Sequence, residues 1–152
     1  MCGFVGIINK NGDKVESSIL SKMASTIHHR GPDEEGVLIE NNVGFYHKRL
    51  SIIDLSTGQQ PMTFLDYTIV FNGEIYNYIE LRKVLISKGH KFVTTSDTEV
   101  ILHLYSEFGK DFINELNGMF AFIIYDRQKN LLFIAKDHFG IKPLYWYHDD
   151  NK

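Results

Sequence analysis

At 152 residues, with 43% apolar and 23% charged content, the chain has the size and composition of one ordinary domain with its own core. A net charge of −3 without a basic run argues against nucleic acid as the main partner, and no apolar stretch is long enough to span a bilayer. The residues after Met1 lack a signal-peptide pattern, and one cysteine excludes a disulfide framework or a multi-cysteine zinc site, so a reduced thiol in the cytoplasm is expected.

The elements follow from the N-terminus. FVGIIN at 4–9 is a short apolar run ended by NKNGD, a strand and a turn. Ile19, Met23 and Ile27, with Leu20 and Ala24 beside them, predict an amphipathic helix from Val15 to His29, stopped by Gly31-Pro32. Residues 36–40 and 43–47 flank Asn41-Asn42 as a hairpin would. YTIVFNG at 67–73 reads as a strand running into a glycine. Asn77 with Glu80 resembles a capping box opening a helix over 76–88, with Tyr78, Leu81 and Leu85 on one face and Gly89 at its end. Ser96 with Glu99 is a second such box, opening a helix over 97–108. MFAFIIYD at 119–126 and LLFIAKD at 131–137 form an apolar hairpin around RQKN, and LYWY at 144–147 adds one more strand. There is no repeat, linker or low-complexity stretch. Strands apolar along their whole length need cover on both faces, which the three helices can supply, so a layered α/β sandwich is expected.

The chemistry begins at MCGFVGIINK. If the initiator methionine is trimmed, which small following side chains permit, Cys2 carries a thiol and a free α-amine on one carbon. Reference pKa values of about 8.5 and about 7.7–8.0 let the amine serve as base for the thiol near neutral pH. Asn72-Gly73 can aim a side-chain amide and a backbone N–H into one cleft, which is what an oxyanion hole requires; Asn-Gly is also a common turn. Arg49 can clamp a carboxylate through two hydrogen bonds, or lie at the surface. Asp97, at a helix start, can receive an ammonium group or simply complement the helix dipole. Glu99 and His103 share a helix face, yet without a convergent third ligand the pattern favours ordinary histidines over a metal site. Tyr76, Tyr78, Tyr145, Trp146 and Tyr147 are accounted for by sandwich packing rather than a stacking platform.

MCGFVGI, HHRGPDEEG, RLSIIDLSTGQQPM, FNGEIYNYIELR, TTSDTEVIL, LNGMFAFIIYD and KDHFGIKPLYW, in this order, resemble the class II glutamine amidotransferases of the N-terminal-nucleophile family. RGPD at 30–33, with RLSIID and NGEIYN, is similar to the asparagine synthetase branch. The resemblance implies an α+β fold, a four-layer α-β-β-α sandwich of two mostly antiparallel sheets. It implies Cys2 as nucleophile, and Asn72 and Gly73 as oxyanion donors. Arg49 would hold the glutamine α-carboxylate, Leu50, Ser51, Ile52 and Ile53 would line the pocket, Glu74 would contact substrate, and Asp97 would receive the α-ammonium. Arg30 and Asp33 would hold the loop beside the nucleophile. L-glutamine is the implied substrate, hydrolysed without metal or organic cofactor, and a synthetase domain using ATP and magnesium is the implied partner. A homo-oligomer is left open. Residues 1–152 would be the glutaminase domain, incomplete at its C-terminus, with the synthetase domain absent. Lys136 stands where the family motif usually has arginine, which puts a local salt bridge in doubt. A fold-retaining binding module, or a domain serving a different ammonia acceptor, is the alternative reading.

Overall fold

The computed structural model describes residues 2–50 and 57–150. Two antiparallel sheets stack face to face. The first has the order β1 (Gly3–Ile8), β3 (Val43–Arg49), β2 (Glu34–Glu40), and the second the order β4 (Met62–Phe64), β5 (Tyr67–Ile75), β6 (Gly118–Asp126), β7 (Leu131–Lys136). Helix α1 (Ser17–Thr26) covers the first sheet, while α3 (Asp97–Phe108) covers the second with α2 (Tyr78–Ser87) packed beside it. The layering is α-β-β-α, as the resemblance implied.

Strand alternation assigns the layers. In β5 and β6 the side chains of Ile69, Phe71, Phe120, Phe122 and Ile124 pack with Leu104, Tyr105 and Phe112 on the helix side. Val70, Ile123 and Tyr125 point the other way and meet Val43 and Phe45 of β3 between the sheets. The apolar run at 119–125 thus lies in one of the two inner strands of its sheet, buried on both faces. The 41–42 hairpin forms with Asn41 at φ 50, a conformation asparagine tolerates in tight turns.

Four expectations need correction. The buried stripe of α1 is Leu20 and Ala24, with Ile19 and Met23 partly exposed. The reason lies in β3, where Gly44 leaves room for Leu20 and Val15; a Cβ there would come within 2.8 Å of Val15 Cγ1. Asn77 does not close a capping box. Its amide bridges elsewhere, Nδ2 donating to Glu115 O at 2.9 Å and Oδ1 accepting from Asn117 N at 3.0 Å. Residues 144–147 form no strand, and Tyr145, Trp146 and Tyr147 are 91%, 76% and 80% exposed, so sandwich packing does not account for them. Asn72-Gly73 is no turn and does not end its strand, since β5 runs on to Ile75. Beyond the expected elements, β4 and a 3-10 helix at Gly109–Glu115 are added.

The histidine on α3 lies in the core rather than in solvent. His103 is buried between the rings of Phe64 and Phe92, and its Nδ1 lies 2.8 Å from His90 Nδ1. Among the described residues no three His, Cys, Asp or Glu side chains converge as a metal site would require. No described helix is long and apolar enough to cross a membrane. Lys136 is exposed at the end of β7.

Candidate active site

Three parts of the fold meet at one cavity of about 100 Å³, lined by Cys2, Arg49, Leu50, Asn72, Gly73, Glu74 and Asp97 among others. Seven of the ten residues expected from sequence therefore meet there. Ser51, Ile52 and Ile53 lie outside the described residues.

The first wall is the end of the first sheet. Gly3 pairs with Lys48, so the register continued by one step brings Cys2 opposite Arg49. Cys2 Sγ sits 3.4 Å from the N–H of Leu50, which can donate to it, and 3.5 Å from Leu50 O. Arg30 Nε donates to Cys2 O at 3.1 Å, and Asp33 N donates to Arg49 O at 3.1 Å. Arg30 thus holds the backbone at Cys2 and Asp33 holds it at the end of β3, each through a carbonyl group. The Arg49 guanidinium is buried, and its Nη1 donates to Glu34 Oε2 at 2.7 Å across the β2–β3 pair.

Strand β5 makes the second wall. By alternation Asn72, opposite Ala121, points toward the first sheet, where Cys2 lies. Gly73 is held closely against β6: a Cβ there would come within 2.7 Å of Phe120 Cα, so only glycine fits. Phe120 turns its N–H to Asp137 Oδ2 and its carbonyl to Asp137 N, both away from β5. Phe120 and Gly73 are therefore a non-hydrogen-bonded pair, and the Gly73 N–H faces the opposite edge, toward the cavity.

The third wall is the start of α3. Ser96 caps the helix, its Oγ accepting from Thr98 N at 3.1 Å. Glu99 does not complete the box at Ser96. Its carboxylate takes the N–H groups of Val93 and Thr94 and the Thr94 hydroxyl instead, shaping the loop that delivers Asp97. Asp97 is buried with Oδ2 accepting from Ile75 N at 3.0 Å, and burial pushes its carboxyl up to about 6 although backbone N–H groups pull the other way.

Gln60, Thr98, Met119 and Lys142 also line the cavity and were missed by sequence reasoning. Gln60 and Lys142 stand in blocks that carry the resemblance, QQPM and GIKPLYW, but nothing in their residue type marks them. Lys142 is placed by Asp137, whose buried carboxylate accepts from the N–H groups of Phe120, Phe139, Ile141 and Lys142. Burial would raise that carboxyl; the four backbone donors outweigh it and hold it below the usual range.

The chain is similar to known proteins. Asparagine synthetase [glutamine-hydrolyzing] 1 of Bacillus subtilis (strain 168) is 48% identical over 96% of this chain and 24% of its own length. Asparagine synthetase B [glutamine-hydrolyzing] of Escherichia coli (strain K12) is 41% identical over 99% of this chain and 28% of its own length. The chain thus spans about a quarter of the curated relatives it matches. Among solved structures, glutamine phosphoribosylpyrophosphate amidotransferase from B. subtilis shares the fold, with a TM-score of 0.72 and 20% identity over 90% of this chain and 37% of that one. The glutamine amidotransferase domain family matches residues 1–152 in full, and with the thiol, the arginine and the Asn-Gly pair on one cavity the chain belongs to that family.

Proposed function

We propose that the chain hydrolyses the side-chain amide of L-glutamine to glutamate and ammonia through a Cys2 thioester. The observation that carries this is the convergence of Cys2, Arg49, Asn72, Gly73 and Asp97 on one cavity. Arg49, held by Glu34, takes the α-carboxylate and Asp97 takes the α-ammonium, with Leu50 and Glu74 against the substrate between them. With Met1 removed, the Cys2 α-amine accepts the thiol proton as the sulfur attacks the amide carbon. Negative charge moves to the carbonyl oxygen, where the Asn72 amide and the Gly73 N–H donate to it. Collapse of the tetrahedral intermediate breaks the C–N bond, and the α-amine returns its proton to the departing ammonia. Water, deprotonated by the same amine, then attacks the thioester and releases glutamate with the thiol restored.

Each of these steps uses groups of this chain, so the domain reaction calls for no metal or organic cofactor. The similarity to glutamine-hydrolyzing asparagine synthetases supports a parent protein in which the ammonia passes to a synthetase domain; we further propose that this domain uses ATP and magnesium and that the protein works in the cytoplasm. Incubation with glutamine, aspartate, ATP and magnesium, followed by separation of the amino acids, tests both parts. Glutamate with equimolar ammonia and no asparagine is expected of residues 1–152. Absence of glutamate from a chain starting at Cys2 refutes the reading.

A further inference from the structure

Strand β5 outruns its neighbour β4. The pairing of Met62 with Ile69, Thr63 with Thr68 and Phe64 with Tyr67 stops there, while β5 continues to Ile75. On this uncovered edge the backbone groups of Phe71, Gly73 and Ile75 all point outward, because alternate residues of an antiparallel strand share an edge. Buried N–H groups need acceptors, and side chains supply two of them. Ile75 N donates to Asp97 Oδ2, and Phe71 N donates to Gln60 Oε1 at 2.6 Å. Gln60 stands where the β4 register, continued, would place the partner of Phe71, so its side chain replaces a ladder bond. The Phe71 carbonyl is taken by His47 Nε2 from the first sheet at 3.2 Å. Burial pushes His47 down to about 4, so it is a neutral donor to that carbonyl at working pH. Only Gly73, between the two capped positions, is left facing the cavity.

The other end of the Gln60 amide is equally informative. Its Nε2 lies 3.4 Å from Thr98 Oγ1, on the residue that follows Asp97. A closed frame results, running from Phe71 through Gln60 to Thr98 and Asp97 and back to Ile75, with Gly73 in its opening. We propose that Gln60 is a positioning residue whose amide fixes the distance between the oxyanion donors on β5 and the ammonium-receiving carboxylate at the start of α3. This rests on the glutamine-hydrolysing reading, because it is the two ends of that one substrate that must be spanned. The side-chain type fits the task. Glutamine offers an acceptor to an N–H and a donor to a hydroxyl in one planar group; glutamate keeps only the acceptor and adds a charge beside Asp97; methionine keeps neither. Misplacement of a substrate by an ångström costs about 100-fold in rate, so a spacer of this kind has measurable leverage.

The test uses the whole chain with Gln60→Met and Gln60→Glu. Rates are expressed per thiol reactive toward a small uncharged alkylating reagent, which counts folded sites without using substrate recognition. Gln60→Met is expected to lose about 10–100-fold in kcat/KM, through both a higher KM and a lower kcat. Gln60→Glu is expected to recover kcat, since Phe71 keeps its acceptor, while KM stays raised. Two readouts need no turnover. Exchange of the Phe71 amide proton should accelerate in Gln60→Met, and the Asp97 carboxyl, followed by carbon NMR, should titrate at higher pH in Gln60→Glu. Should Gln60→Met fail to fold, the Gln60→Glu kinetics and titration decide alone. Unaltered KM and kcat per reactive thiol, or an Asp97 titration unmoved in Gln60→Glu, overturn the proposal. If the parent chain itself leaves glutamine intact, the function reading falls, and the Phe71 exchange and Asp97 titration still judge the frame.

Discussion

Asp97 gives the sharpest quantitative expectation. Its carboxyl is buried and pushed up to about 6, so the free protein spends free energy to ionise it that a bound ammonium would return. Glutamine keeps its α-ammonium throughout this range and, on the proposed function, binds the ionised form. About ten carboxyls in eleven are ionised at pH 7 and about one in eleven at pH 5, so the Kd for glutamine should rise about tenfold between them. Near pH 6 each binding event should expel about half a proton, visible as a buffer-dependent heat. Calorimetry on Cys2→Ala, which binds without turnover, measures both. The sign for stability follows from the same shift. A carboxyl raised from its ordinary 3.8 to about 6 by folding costs stability above pH 6, and the cost is relieved as pH falls through 6 toward 3.8. Asp97→Asn keeps an acceptor for Ile75 N, so it should stabilise the free protein at pH 7 by up to about 3 kcal/mol and flatten the binding profile. A Kd unchanged from pH 7 to pH 5 in the parent sequence, or Asp97→Asn binding as the parent does, would refute this reasoning.

Arg49→Lys keeps an ion pair with Glu34 but loses the planar fork, so glutamine kcat/KM should fall by about 1.5–3 kcal/mol. Alkylation of Cys2 by a small uncharged reagent should not change, and intact glutamine kinetics would remove Arg49 from the substrate site. Gly73→Ala puts a methyl group against Phe120 Cα and forces β5 from β6, so thermal unfolding should drop and the rate per reactive thiol should fall about 100-fold. An active, equally stable Gly73→Ala protein would show that the close strand approach is not what aims this N–H.

How far the sequence reveals this site depends on the kind of signal each residue carries. Cys2, Arg49, Asn72, Gly73 and Asp97 are legible because their chemistry is unusual for their positions and because they recur in ordered blocks. The strand at 118–126 is legible because burial on both faces leaves an apolar run from Met119 to Tyr125, and the one at 67–75 is legible from its core of Ile69, Val70 and Phe71. Gln60 is not, since its importance lies in standing opposite Phe71 beyond the end of a three-residue strand, a fact of register. The Asn77 box fails for a similar reason: the amide that could cap its own helix finds partners at residues 115 and 117, brought near only by the fold. The face of α1 is set by Gly44 on a strand more than fifteen residues away, and apolar periodicity alone could not choose between Leu20 and Ile19.

The central claim is that Cys2, freed of Met1, is both nucleophile and base. Acid quenching during turnover of glutamine, followed by intact-mass and peptide analysis, tests it directly. A glutamyl adduct should be found on Cys2 of chains that begin at Cys2, and chains retaining Met1, whose Cys2 nitrogen is an amide, should carry no adduct and release no ammonia. Full turnover by Met1-retaining protein, or turnover with no acyl group ever found on Cys2, would contradict the account.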